Sequence, residues 1–333
     1  MSETTHETNG SGVSNFPRKM LFATDGSEDA ALAARAAADI QTRTGAELHL
    51  VHAWQGFPLW PGLPRSAYSE QAVEEYTGLY QQKARQLMRQ QAHEVRGAGA
   101  DLAGTHLLEG RPAEEISGLA EELGAGLVVV GCRGLGLVKR LTVGSVSEEV
   151  VSFAPCPVLV TRGSWPPSWV IVGDDFSEEA RKAGELAAGI GRLFGASVLL
   201  VRTFYPTFQL PPPGFLRQAR GEENPRAWLD ELLKTKEIEK VLQKRAEELE
   251  EVLGRLPQTR VTVGDAAAIM LEAAEESEQP VLVAVGNRGL GSVKRAVLGS
   301  VSTKVLRAAD GPVLMAPCSG GSSQWLRNPA TFE

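Results

Sequence analysis

The segment GCRGLGLVKRLTVGSVSEEVV at 131–151 returns as GNRGLGSVKRAVLGSVSTKVL at 286–306, with 13 of 21 positions identical. The repeat continues upstream. KMLFATDGSEDAALAA from Lys19 aligns with WVIVGDDFSEEARKAG from Trp169, and AELHLVHAW from Ala46 with ASVLLVRTF from Ala196, both at an offset of 150. The same elements in the same order, twice, mark a duplicated domain. The length of 333 residues agrees with two domains at ~150 residues each. The expected layout is a polar tail at 1–16, a first domain at 17–163, a linker at 164–168 inside TRGSWPPSW, a second domain at 169–318 and a tail at 319–333.

Within each half, short apolar runs alternate with helical patterns. Strands are expected at KMLFAT, ELHLVHAW, a weaker AGTHLLE, LVVVG and PVLVT, then at WVIVG, SVLLVRTF, TRVTVG, VLVAVG and PVLMA. Runs of Val, Leu and Ile without polar alternation belong to strands covered on both faces. Helices are expected from Ser27 to Arg43, over 69–96, at PAEEISGLAEEL and after Ser145. In the second half Ile238, Val241, Leu242, Arg245, Leu249, Val252, Leu253 and Leu256 form a stripe at spacings of three and four, which should lie on the sheet. Strand–helix alternation of this kind gives an α/β fold with parallel sheets and right-handed crossovers.

A net charge of −7 leaves no basic excess for nucleic acid or anionic lipid. Three cysteines, Cys132, Cys156 and Cys318, are odd in number and unpatterned, which fits a reducing cytoplasm. The first sixteen residues have no apolar stretch of a secretory signal, and no run approaches the ~20 apolar residues of a membrane helix. The expectation is a cytoplasmic protein with no membrane and no nucleic acid among its partners.

Each glycine segment follows a buried strand, reads Gly-x-x-Gly, runs nine residues further and closes with Gly-Ser at a helix start. Gly131 and Gly134 would allow positive φ and bring main-chain N–H groups close to a ligand. Gly144 and Ser145 stand where uncapped N–H groups and the helix dipole favour an anion, with the hydroxyls of Ser145 and Ser147 as further donors. Arg133, Lys139 and Arg140 add positive charge. The bland alternatives are an ordinary N-cap and a solvated basic pair. Neither copy is a P-loop or a dinucleotide fingerprint, since GxxxxGK[ST] and a first-strand GxGxxG are both missing. After the first strands stand ATDGS and VGDDFS, whose Asp25 and Asp175 either accept from a ligand or cap the next helix.

The combination of TDGS after strand one, LVHA ending strand two and G-2x-G-9x-G-S resembles the universal stress protein family in its tandem, ATP-binding form, over nearly all of residues 18–318. That resemblance implies a Rossmann-like, five-stranded parallel sheet in each half. It implies ATP as ligand, with Mg²⁺ accompanying it, and a site made of Ala23, Thr24, Asp25, Ala53, Val130, Gly131, Arg133, Gly134, Gly144, Ser145, Val146 and Ser147. In the second half the matches are Gly173, Asp174, Asp175, Thr203, Val285, Gly286, Arg288, Gly289, Gly299, Ser300, Val301 and Ser302. It further implies contact between the fifth strands as an intramolecular pseudo-dimer, room for a homodimer, an unidentified protein partner and a stress-response role.

The second half departs from the first. Asp174 replaces Thr24, Phe176 replaces Gly26 and Arg202 replaces His52. A carboxylate beside phosphate repels it unless a cation intervenes, so the second site is expected to bind more weakly or to need Mg²⁺ more. No Ser/His/Asp or paired-carboxylate arrangement suggests catalysis. A slow ATPase or nucleotidyl or phosphoryl transferase is the alternative function, with Asp174 as the one candidate to orient water, and a nucleotide-free scaffold is the third. His49 and His52 point to opposite faces of a strand, which argues against a metal site. Cys132, expected near the surface of the glycine loop, is read as a bystander.

Overall fold

The computed structural model describes residues 16–56, 69–134, 143–204, 225–287 and 298–317. The proline-rich segments FPLWPGLPR and YPTFQLPPPGF, the basic pairs of the glycine segments and the tail after Pro317 lie outside them.

The first half runs β1 (Lys19–Ala23), α1 (Glu28–Thr44), β2 (Glu47–Trp54), α2 (Glu70–Gly97), β3 (Leu102–Glu109), α3 (Pro112–Leu123), β4 (Leu127–Gly131), α4 (Ser145–Phe153) and β5 (Val158–Thr161). The second repeats it with β6 (Trp169–Gly173), α5 (Glu178–Phe194), β7 (Ser197–Phe204), α6 (Pro225–Leu253), β8 (Gln258–Val263), α7 (Ala266–Glu275), β9 (Val281–Gly286), α8 (Ser300–Ala308) and β10 (Val313–Ala316). The strands join one ten-stranded sheet in the order β3-β2-β1-β4-β5-β10-β9-β6-β7-β8. Pairing is parallel inside each half. It is antiparallel only at the joint, where Leu314 faces Leu159 and the last strands cover each other's edges.

Two apolar layers coat the sheet. One holds α1, α2, α5 and α6 through residues such as Ala33, Ile40, Met88, Leu242 and Leu249. The other holds α3, α4, α7 and α8 through Ile116, Val150, Met270 and Val305. The stripe is narrower than expected: Val241 on α6 is about half exposed, Leu256 falls beyond the helix end and is equally exposed, and Ala246 joins the buried row.

Sequence also dictates how closely α1 and α5 approach the sheet. Ser27 and Ser177 cap them by accepting from the N–H groups of Ala30 and Ala180. Their buried alanines let the helices lie low on the strands. A Cβ on Gly131 would come within 2.7 Å of Ala30 N, and one on Gly286 within 2.9 Å of Ala180 N. These two glycines are therefore needed for helix–strand contact. Neither Gly131 nor Gly134 adopts the left-handed conformation expected from the sequence, and Gly144 has φ −64°.

The halves also hold each other through side chains. Arg162 donates to the carbonyls of Leu306 and Ala309 at the end of α8. Asn287 donates reciprocally to Val151 O near the end of α4, at 3.2 Å. Trp165 donates to Asp39 and meets the Phe194 ring edge-on. Buried helix-end carbonyls need such partners.

Candidate functional site

In an open parallel sheet, a ligand crevice forms outside the carboxyl ends of the strands where the strand order reverses. In the first half that point lies between β1 and β4. A cleft of about 470 Å³ opens there, lined by Thr24, Asp25, Ala53, Val130, Gly131, Arg133, Gly134, Gly144, Ser145, Val146 and Ser147. All are residues singled out from the sequence; Ala23, one residue earlier, is buried in the core beneath. Sequence reading missed Pro112, Ile116 and Val143, which form the apolar wall. Pro112 and Ile116 come from the start of α3 after the weakest strand pattern, and carry no motif.

The floor is built by main-chain bonds. Thr24 N donates to Val51 O, and His52 Nδ1 lies 2.7 Å from Thr24 O. Thr24 Oγ1 accepts from Gly26 N and donates to Gln91 Oε1 on α2, whose amide is held in turn by Glu94. The Thr24 side chain therefore points into the helix layer, and the cleft meets its other atoms. Asp25 Oδ1 accepts from Ser27 N at 3.0 Å, so this carboxylate shapes the turn while lining the cleft. Gly134 passes so close that a Cβ there would run into Asp25 Oδ2.

The start of α4 also lines the cleft. Gly144 brings no side chain to cap it, and the first intrahelical bond is Glu148 N to Gly144 O. Among the described residues, nothing caps the N–H groups of Ser145, Val146 and Ser147 beside the cleft, where the dipole adds positive potential. Ser145 is exposed, but Ser147 is buried and its hydroxyl donates to Gly131 O at 2.7 Å. Ser147 is therefore not the hydroxyl donor expected, and Ser302 makes the same bond to Gly286 O. Arg133 sits at the rim, tied through its main-chain N and Nε to Asp29 Oδ2, each at 3.0 Å. The Asp29 carboxylate holds its guanidinium above its ordinary basicity. Cys132 is buried rather than exposed, and burial pushes its thiol up, which makes it a poor nucleophile.

The second half keeps this frame with different chemistry. Asp174 N donates to Val201 O, Arg202 Nη1 to Asp174 O, and Ser177 N to Asp175 Oδ1. Gly299 again leaves a helix start, at Ser300, Val301 and Ser302, without a side-chain cap. Val285 and Gly286 end β9, and Thr203 lies near the end of β7, as Val130, Gly131 and Ala53 do in the first half. Met270 fills the space over Gly173, where a Cβ would lie 2.7 Å from its sulfur. Arg288 and Gly289 fall outside the described residues.

One expectation is overturned here. The Asp174 carboxylate does not face phosphate. It occupies the place of the Thr24 side chain and points into the helix layer, where Oδ2 meets Arg245 Nε at 3.2 Å and Oδ1 accepts from Phe176 N. It is 2% exposed. Burial raises its pKa, opposed by the Phe176 N–H and by Arg245. The cation beside it is thus the protein's own, and the charge argument for a weaker or more Mg²⁺-dependent second site loses its basis. So does a water-orienting role for Asp174.

Among the described residues, no helix is long and apolar enough to cross a membrane. The family model described as the universal stress protein family matches residues 17–162 and again 169–317. A universal stress protein of Thermus aquaticus is 39% identical over 150 residues, 44% of this chain and 98% of its own length. A crystal structure of a universal stress protein from Archaeoglobus fulgidus superposes with TM-score 0.60 at 21% identity, covering 90% of this chain and 96% of that one. A universal stress protein solved in complex with cAMP covers 44% of this chain and 99% of its own, at 24% identity and TM-score 0.33. The duplicated sequence, the shared frame of the two halves and the double family match lead to one statement: this chain belongs to the universal stress protein family and carries its domain twice.

Proposed function

We propose that the protein is a cytoplasmic, ATP-responsive regulator, with adenine nucleotide bound in the β1–β4 cleft and in its second-half counterpart. The observation that carries the reading is the start of α4, without a side-chain cap, on a cleft of about 470 Å³ that Asp25 also lines. Helix-start amides are donors suited to phosphate, the apolar wall of Pro112, Ile116 and Val143 suits a base, and Asp25 suits hydroxyl or amino donors. In this reading nucleotide occupancy alters a surface read by a protein partner in the stress response. Few and unpatterned cysteines support the cytoplasmic setting.

Fresh full-length protein, denatured and cleared, should release ATP, and calorimetry of the stripped chain with ATP, with and without Mg²⁺, should show binding. Gly134→Ala should weaken that binding at least about tenfold, because the added methyl displaces the Asp25 carboxylate. ADP accumulating from added ATP would turn the reading towards a slow ATPase. Tighter binding of cAMP than of ATP would replace the triphosphate in it. No binding of either nucleotide would sink it.

A further inference from the structure

Far from the joint, two imidazoles meet at the outer end of the sheet. His49 lies on β2 and His106 on the edge strand β3. An irregularity between Leu48 and His49 sets His49 opposite Gly104, leaving His106 diagonal to it. His49 Nδ1 and His106 Nε2 are 3.1 Å apart, with ring planes inclined by 36°. Gly104 lies below both: a Cβ there would come within 2.7 Å of His49 Nδ1 and 3.0 Å of His106 Nε2. Both rings are partly exposed, and His49 Nε2 is buried with no hydrogen-bond partner. Glu47, on the same face of β2, contributes negative potential at His49, opposed by Lys19, which lies 4.0 Å from Glu47.

We propose that His49 and His106 form a two-imidazole chelate for a late first-row divalent cation, with Cu²⁺ preferred over Zn²⁺. Two ring nitrogens this close lie within reach of one metal ion at metal–nitrogen distances of ~2.0–2.1 Å once the rings turn. The order of intrinsic affinities places Cu²⁺ above Zn²⁺. The rings turn so that both lone pairs converge over the space Gly104 leaves, and water fills the remaining positions. The hydrogen shared by the pair moves to the far nitrogen of its own ring, so binding to the neutral pair releases no net proton. Burial and the neighbouring His106 hold the His49 pKa below its usual value, which keeps a lone pair available at neutrality.

The test is titration of metal-stripped, full-length protein with Cu²⁺ at pH 7.5, followed by calorimetry and electron paramagnetic resonance. It is done in a His6→Gln/His93→Gln background to remove two of the other three histidines. One site with two coordinated nitrogens is expected, with Zn²⁺ bound at least tenfold more weakly. His106→Asn should lower Cu²⁺ affinity at least tenfold while circular dichroism stays unchanged. Equal Cu²⁺ affinity in the folded His106→Asn variant, a single-nitrogen spectrum, or Zn²⁺ bound as tightly as Cu²⁺ would overturn the proposal.

Discussion

At the end of the first strand the two halves solve one problem in two chemistries. In the first, Thr24 bonds Gln91 and His52 holds the Thr24 carbonyl. In the second, Asp174 pairs with Arg245 and Arg202 holds the Asp174 carbonyl. Both versions tie the strand end to the long second helix and close the turn by bonding the amide two residues on. The exchange is coordinated: a neutral pair has become an ion pair, and neither polar group is left alone in the apolar layer. The difference teaches that this position belongs to the scaffold, and that a charge at a strand end says little about the ligand until its direction is known.

The largest expected effect breaks the charged version. Arg245→Leu leaves a carboxylate 2% exposed without its cation, and loss of one partner of a buried pair costs ~3–5 kcal/mol. Gln91→Leu in the first half removes only a neutral acceptor, costing about 1–2 kcal/mol. The double change Asp174→Thr/Arg245→Gln, which copies the first half, should recover most of the loss. Denaturant unfolding of the three variants decides this. Equal losses for Arg245→Leu and Gln91→Leu would mean that Asp174 finds water or takes up a proton instead.

A smaller effect concerns the next turn. Gly26 has φ +80°, and its counterpart Phe176 keeps φ +68° despite its side chain. The left-handed conformation costs a non-glycine residue roughly 1–2 kcal/mol. Phe176 recovers part of this under the Arg202 guanidinium, 4.7 Å from its ring, a contact worth about 0.5–1 kcal/mol. Phe176→Gly should therefore move stability by less than about 1 kcal/mol. Gly26→Ala should cost about 1–3 kcal/mol, since its methyl also meets Leu87 at 2.5 Å. Thermal melts of the two variants test the asymmetry, and a Phe176→Gly loss as large as that of Gly26→Ala would refute it.

The sequence showed the strands because buried parallel strands are written as uninterrupted apolar runs, and LVVVG and VLVAVG need no partner to be recognised. The cleft was legible for a similar reason, since its residues sit at strand ends and one helix start that the repeat marks twice. The direction of a side chain at such an end was not. Thr24 and Asp174 lie where the strand alternation stops, and the turn that follows decides which layer they enter. The pairing of Asp174 with Arg245 was hidden further by register. The first strands align at an offset of 150, but Gln91 corresponds to Arg245 at 154, because the segments between β2 and its following helix differ in length. Gly131 misled differently: its missing side chain serves the approach of α1, a contact between residues a hundred positions apart.

The smallest expected effect separates the halves by acid. His49 lies on β2 where β7 has Leu199, and His106 on β3 where β8 has Arg260, so only the first half brings two imidazoles together. Burial lowers the His49 pKa, assisted by His106 and Lys19 and opposed by Glu47. A folded-state value below the unfolded one means that the unfolded chain takes up the proton first as pH falls. The stabilising contribution is then complete above about pH 6.5 and is lost as acidification proceeds through the lowered value. Urea unfolding of the whole chain between pH 8 and pH 5 should show the first half losing stability in this window. His49→Leu, which copies the second half, should flatten that part of the curve. A curve unchanged by His49→Leu would place the acid sensitivity elsewhere.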